Sequence, residues 1–69
     1  MNEEALKISM RKFLKRVGVT SQQEIERAVQ EADAAGRLEA GTLAANVTLT
    51  IPAIDLHHEI NGDLKIEDE

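Results

Sequence analysis

Apolar positions recur along this chain at two different periods. In the first half they fall three or four residues apart, at Leu6, Met10, Phe13, Leu14 and Val17, and again at Ile25, Ala28, Val29, Ala32 and Ala35. That spacing places them on one face of a helix. From Ala45 the period drops to two, with Ala45, Val47, Leu49 and Ile51 alternating with Asn46, Thr48 and Thr50. Alternation of this kind marks a strand with one buried face. The pattern predicts helices over about 3–17 and 22–35 and strands over about 45–51, 54–59 and 63–67.

The two helical stripes are separated by Val17-Gly18-Val19-Thr20-Ser21-Gln22-Gln23-Glu24-Ile25, which reads as helix end, turn and helix start. Gly18 suits the left-handed residue that closes a helix. Ser21 with Glu24 matches a capping box, and Thr20 with Gln23 is a competing frame one residue earlier. At the outer ends, Asn2 is a good helix cap, Glu3 and Glu4 suit the positive end of the helix dipole, and Gly36 is the natural stop.

Two turns are expected among the strands. A two-residue loop at Pro52-Ala53 pairs Ile51 with Ile54, Leu49 with Leu56 and Val47 with His58, keeping the apolar residues on one side. Asn61-Gly62 is a hairpin signal. A three-residue loop, Ile60-Asn61-Gly62, with Gly62 left-handed in a bulge, pairs His58 with Leu64 and Leu56 with Ile66, and sets Glu59 against Asp63. The resulting fold class is α+β: two N-terminal helices packed on one face of a three-stranded antiparallel β-meander, in the order α-α-β-β-β, as a single domain over 1–69.

Composition narrows the picture. In 69 residues there are seven Leu, six Ile, four Val, two Met and one Phe, with no Trp or Tyr, so one chain can build only a thin core. Domains of this size often need a staple or a partner. Cysteine is absent, which removes disulfides, thiolate metal sites and thiol nucleophiles, and fits a reducing compartment. No run is apolar enough to span a membrane, and the N-terminus lacks the apolar region of a signal peptide. The expected compartment is the cytoplasm, so the sequon Asn46-Val47-Thr48 reads as strand.

The net charge of −5 conceals a split. Residues 1–17 carry Lys7, Arg11, Lys12, Lys15 and Arg16 against Glu3 and Glu4, a net +3, while residues 18–69 carry −8. A basic first helix on an acidic remainder favours attraction within or between chains. Ile8 is the misfit of that helix, lying among the basic residues opposite the apolar stripe. With Arg11, Lys12, Lys15 and Arg16 it forms the candidate interaction surface.

Candidate chemistry is sparse. Asp55, His57 and Glu59 share one face of the second strand at i, i+2 and i+4 and are the weak candidates for a metal site, although a polar outer face is what alternation gives anyway. His58 points the other way. There is no glycine-rich phosphate loop and no nucleophile elbow, so neither catalytic residues nor cofactors are expected and an enzyme is disfavoured. The helix-turn-helix look of residues 3–35 raises nucleic acid. The second helix, however, sets Glu24, Glu26, Glu31 and Asp33 against Arg27 alone, which opposes phosphate contact. Backbone contact by Lys12, Lys15 and Arg16 remains the runner-up.

The opening Met1-Asn2-Glu3-Glu4, the run Arg11-Lys12-Phe13-Leu14-Lys15 and the stretch Val17 to Glu26 resemble a family of small bacterial proteins, about 70 residues long, that is catalogued only as a domain of unknown function. The alternating strands and Gly62-Asp63 are similar too, whereas the family's two-glycine turn is Pro52-Ala53 here. The resemblance implies a stand-alone bacterial protein and no activity, ligand or site residues. The leading expectation is a non-enzymatic protein-interaction or homo-oligomerisation module, a homodimer or a complex with an unidentified protein partner, with no membrane association.

Overall fold

The computed structural model describes residues 1–39 and 41–67. In chain order these form helix α1 (Glu3–Ala34), strand β1 (Thr42–Ile51), a short 3-10 turn (Pro52–Ile54) and strand β2 (Leu56–Lys65). The chain divides into two compact units, Met1–Leu38 and Glu39–Glu69. The order is therefore α-β-β. The expected pair of helices on a three-stranded meander is wrong at two places, both of them glycine turns that the chain does not make.

The first is Gly18. Helix α1 is 32 residues long and runs straight through it. Gly18 lacks the positive φ expected of a helix-closing residue; among the described glycines only Gly36 has one. Thr20 does not cap a second helix but turns its hydroxyl back onto the Arg16 carbonyl at 2.8 Å, the usual habit of threonine inside a helix. The physical reason lies in phase. The apolar positions repeat every eleven residues, as Leu6, Val17 and Ala28 and as Leu14 and Ile25, and Met10 and Ala32 are two such repeats apart with the small Ser21 between them. Eleven residues make about three helical turns, so one continuous helix holds both stripes on a single face. An interior glycine costs only about 1 kcal/mol relative to alanine. Breaking the helix forfeits several backbone hydrogen bonds in exchange for one cap.

The ends of α1 are as the sequence implies. Asn2 caps the start, its Oδ1 accepting from the Ala5 N–H at 3.0 Å. At the far end Gly36 is left-handed at φ 73°. The Gly36 N–H donates to the Asp33 carbonyl at 3.1 Å and the Arg37 N–H to the Ala32 carbonyl at 2.9 Å. This pair of bonds is the Schellman closure, which satisfies carbonyls that the helix leaves open.

The second correction is at Asn61-Gly62, where no turn forms. β2 passes through both residues, and its ten residues pair antiparallel with the ten of β1. Asn61 faces Asn46 and donates nothing to a loop; instead its Oδ1 accepts from Asn46 Nδ2 at 2.9 Å. Gly62 faces Ala45, and Leu64 faces Leu43. Strand β1 therefore begins at Thr42, three residues ahead of the expected start, because Leu43 continues the apolar alternation and gains a partner. The straight course also avoids the Glu59–Asp63 clash of the expected loop: Glu59 lies opposite Thr48 and Asp63 opposite Ala44.

The one turn that does form is longer than expected. Ile51 pairs with Leu56, Leu49 with His58 and Val47 with Ile60, a register two residues beyond the expected one. Four residues, Pro52 to Asp55, make the loop. Proline needs no N–H at the first position of a 3-10 turn. Asp55 closes it at φ 56°, ψ 33°, donating its N–H to the Pro52 carbonyl at 3.1 Å. Aspartate tolerates that left-handed geometry better than most residues. A shift of two preserves parity, so the faces survive: Leu43, Ala45, Val47, Leu49 and Ile51 share a side with Leu56, Ile60 and Leu64.

Neither unit contains a core. None of the described residues is buried. Val17, Val29 and Ala32 on the helix, and Leu43, Ala45, Leu49 and Leu64 on the hairpin, are half-buried.

A candidate interaction surface

A single helix has no interior, and a two-stranded sheet has two open faces. Each unit accordingly presents an uncovered apolar surface. On α1 the stripe is led by Leu6, Met10, Phe13 and Leu14, with Phe13 at 55% exposure, and continues through Val17, Ile25, Ala28 and Ala32. Its N-terminal half is built from large side chains and its C-terminal half mainly from small ones. On the hairpin, Val47, Ile51, Leu56 and Ile60 are exposed on one face, with Ile60 at 51%. Single exposed aliphatics are ordinary, but contiguous rows of them mark surfaces that something covers.

The sequence-derived interaction residues fall on α1 in a definite order. Ile8, Lys12, Lys15 and Val19 lie at i, i+4, i+7 and i+11, one line along the side away from the stripe. Val19 is the member that sequence reasoning missed, because it was placed beyond a turn; eleven-residue spacing from Ile8 was the available signal. Both are exposed, at 46% and 47%. Arg11 and Arg16 sit between this line and the stripe, one on each flank. Among the described residues, no ion pair engages Lys7, Arg11, Lys12, Lys15 or Arg16.

The C-terminal half of α1 is acidic and partly self-paired. Arg27 donates to Glu24 at 2.6 Å and to Glu31 at 3.0 Å. The hydrogen bond to Glu24, followed by that to Glu31, raises the guanidinium pKa above its ordinary value. Arginine is charged at any working pH, and the pairs are exposed, so they add little to stability. With no helical break, residues 3–34 do not form the helix-turn-helix expected from the sequence.

Of the metal candidates, Asp55 is not on the strand but in the turn that precedes it. His57 and Glu59 do share the polar face, and His57 Nε2 lies 3.1 Å from Glu59 Oε2. Thr50 and Thr48 stand opposite them. No group of three or more His, Cys, Asp or Glu side chains close enough to hold a metal ion occurs among the described residues. Nor is any helix among them long and apolar enough to cross a membrane.

Neither a curated protein nor a solved structure matches this chain. A family of unknown function does, over residues 1–67 of the 69. That span includes the continuous helix and both strands, so the chain belongs to this family, DUF6494, whose role is undefined.

Proposed function

We propose that this protein is a non-enzymatic self-association module whose working form is a homodimer. One observation carries the reading: neither unit can cover its own apolar face, and none of the described residues is buried. Each exposed aliphatic that becomes covered contributes about 1.5–3 kcal/mol, and a stripe of six or more is worth enough to drive association. No cofactor or catalytic residue enters the proposal. We take the cytoplasm as the setting, which the absence of cysteine from all 69 residues suits. Sedimentation equilibrium over a range of concentrations tests the proposal. The expected result is a dimer mass, with a thermal midpoint that rises with protein concentration. A monomer mass at high micromolar concentration, with a midpoint independent of concentration, refutes it.

A second reading has its own support. The five cations between Lys7 and Arg16 lie on one rigid segment without ion pairs among the described residues, a suitable footprint for a phosphate backbone. The aromatic of that segment, Phe13, belongs to the apolar stripe and not to the line of cations, and the segment's own helix turns acidic beyond it. Titration of labelled DNA and RNA at two salt concentrations decides. Binding that is tight at low salt, and weakened by substituting Lys12, Lys15 and Arg16, would favour it.

A further inference from the structure

We propose that two copies of the chain pair through the stripes of their α1 helices, which run antiparallel with Ser21 of each copy near the two-fold axis. The inference rests on the self-association reading above and adds to it the surface, the direction and the register.

Three features of α1 select this arrangement. The first is size. Antiparallel pairing about Ser21 sets Met10 opposite Ala32 and Leu14 opposite Ala28, with Phe13 and Val29 at one level on the two edges of the seam. Large side chains from one half meet small ones from the other, so the helices can hold a uniform separation of about 8–10 Å. Parallel pairing sets Phe13 against Phe13 and Ala28 against Ala28, crowding one end and leaving a gap at the other. The second is charge. Residues 5–17 carry five cations and no acids, while residues 18–34 carry Arg27 against Glu24, Glu26, Glu31 and Asp33. Antiparallel pairing lays each basic half beside an acidic half, and parallel pairing stacks like on like. Arg11 and Asp33 are twenty-two residues apart and so share one flank of the stripe, and a two-fold axis brings each near its counterpart from the other copy, twice over. The third is length. A helix of 32 residues spans about 48 Å, and its eleven-residue phase keeps the stripe on one face along that length. The ten-residue strands of the hairpin reach only about 33 Å, too short to cover the stripe from end to end. A second copy of α1 has the required length, charge and shape.

The absence of native cysteine makes the test direct. Full-length Met10→Cys and Ala32→Cys proteins, one bearing a mass tag, are mixed, allowed to exchange subunits and oxidised. A disulfide forms only where Cα atoms approach within about 7 Å. The expected product is the mixed Met10→Cys/Ala32→Cys species in excess over either homodimer, with Ser21→Cys crosslinking to itself. Preferential Met10→Cys homodimers would overturn the antiparallel direction. A dimer mass in sedimentation with no crosslink at any of these positions would move the interface off α1 and sink this inference while sparing the self-association reading. A monomer mass removes both. Where the cysteine variants fold poorly, charge exchange reads the same geometry. Arg11→Glu is expected to raise the dimer dissociation constant on the order of tenfold, since an attraction made twice becomes a repulsion made twice. Adding Asp33→Arg is expected to restore it. Failure of that rescue in a folded, dimeric protein also counts against the proposed register.

Discussion

The helix and the hairpin solve the same backbone problem in opposite ways. Every hydrogen bond of α1 is local, from the Asn2 cap to the Gly36 closure, so the element needs nothing beyond its own 32 residues to pair its amides. Each strand of the hairpin depends on a partner up to 23 residues away, as at Thr42 and Lys65. Yet both leave their side chains in the same state, with an apolar row on one side that the unit itself does not cover. Backbone satisfaction and side-chain burial are separate requirements, and this chain meets the first in each unit and the second in neither.

The comparison breaks most visibly if the wrong face proves to drive association. Phe13→Asp places a charge in the helix stripe and is expected to weaken the dimer by two orders of magnitude or more, about 3 kcal/mol or above, because the lost burial and the desolvated carboxylate occur twice. Val47→Asp on the hairpin face is expected to destabilise that unit and leave dimerisation largely intact. Analytical ultracentrifugation of both variants checks this, and the reverse outcome would assign association to the hairpin.

The closure at Gly36 gives the next largest effect. Gly36→Val forces a β-branched residue to φ 73°, at an expected cost of about 1–2 kcal/mol in urea denaturation. An unchanged midpoint would mean that the helix end is not fixed by that residue.

Gly18 and Gly62 sharpen the contrast between what is local and what is not. Neither has any side-chain or backbone atom near the place a Cβ would occupy, and neither is left-handed. Gly18→Ala is expected to stabilise by about 0.5–1 kcal/mol, as any helix interior does. Gly62→Val should stabilise the strand, by up to about 1 kcal/mol. Both substitutions would be strongly destabilising if these glycines sat in turns, so thermal melts separate the two descriptions by sign. Last comes Arg27→Ala. Its bridges to Glu24 and Glu31 are exposed, and the expected shift in melting temperature is within the scatter of replicate scans.

Those two glycines also mark the limit of what the sequence disclosed. The caps at Asn2 and Gly36, the change of period before Ala45 and the side of the hairpin each residue faces were all legible, because each follows from spacing or from local chemistry. Gly18 and Gly62 carry the same local chemistry as real turns. Whether a chain turns at such a residue depends on what the segments beyond it gain by doing so. Here Val17 and Ala28 were already in phase, and Leu43 already had Leu64 to pair with. Of the candidate site, the basic residues lie on one helical segment as read, and Ile8 gained a neighbour in Val19. The Asp55, His57 and Glu59 set came apart because the turn is two residues longer than its Pro52-Ala53 signal suggested.

The eleven-residue phase of α1 has a consequence for how genes of this kind can change. Loss of a single codon between Val17 and Ile25 rotates everything downstream by about 100°, carrying Ile25, Ala28 and Ala32 off the stripe at once. Gain of eleven codons adds about three turns and leaves the stripe in phase. The spacing of this segment is therefore as much a part of its surface as the residues themselves, and short insertions or deletions are expected to damage it more than conservative replacements.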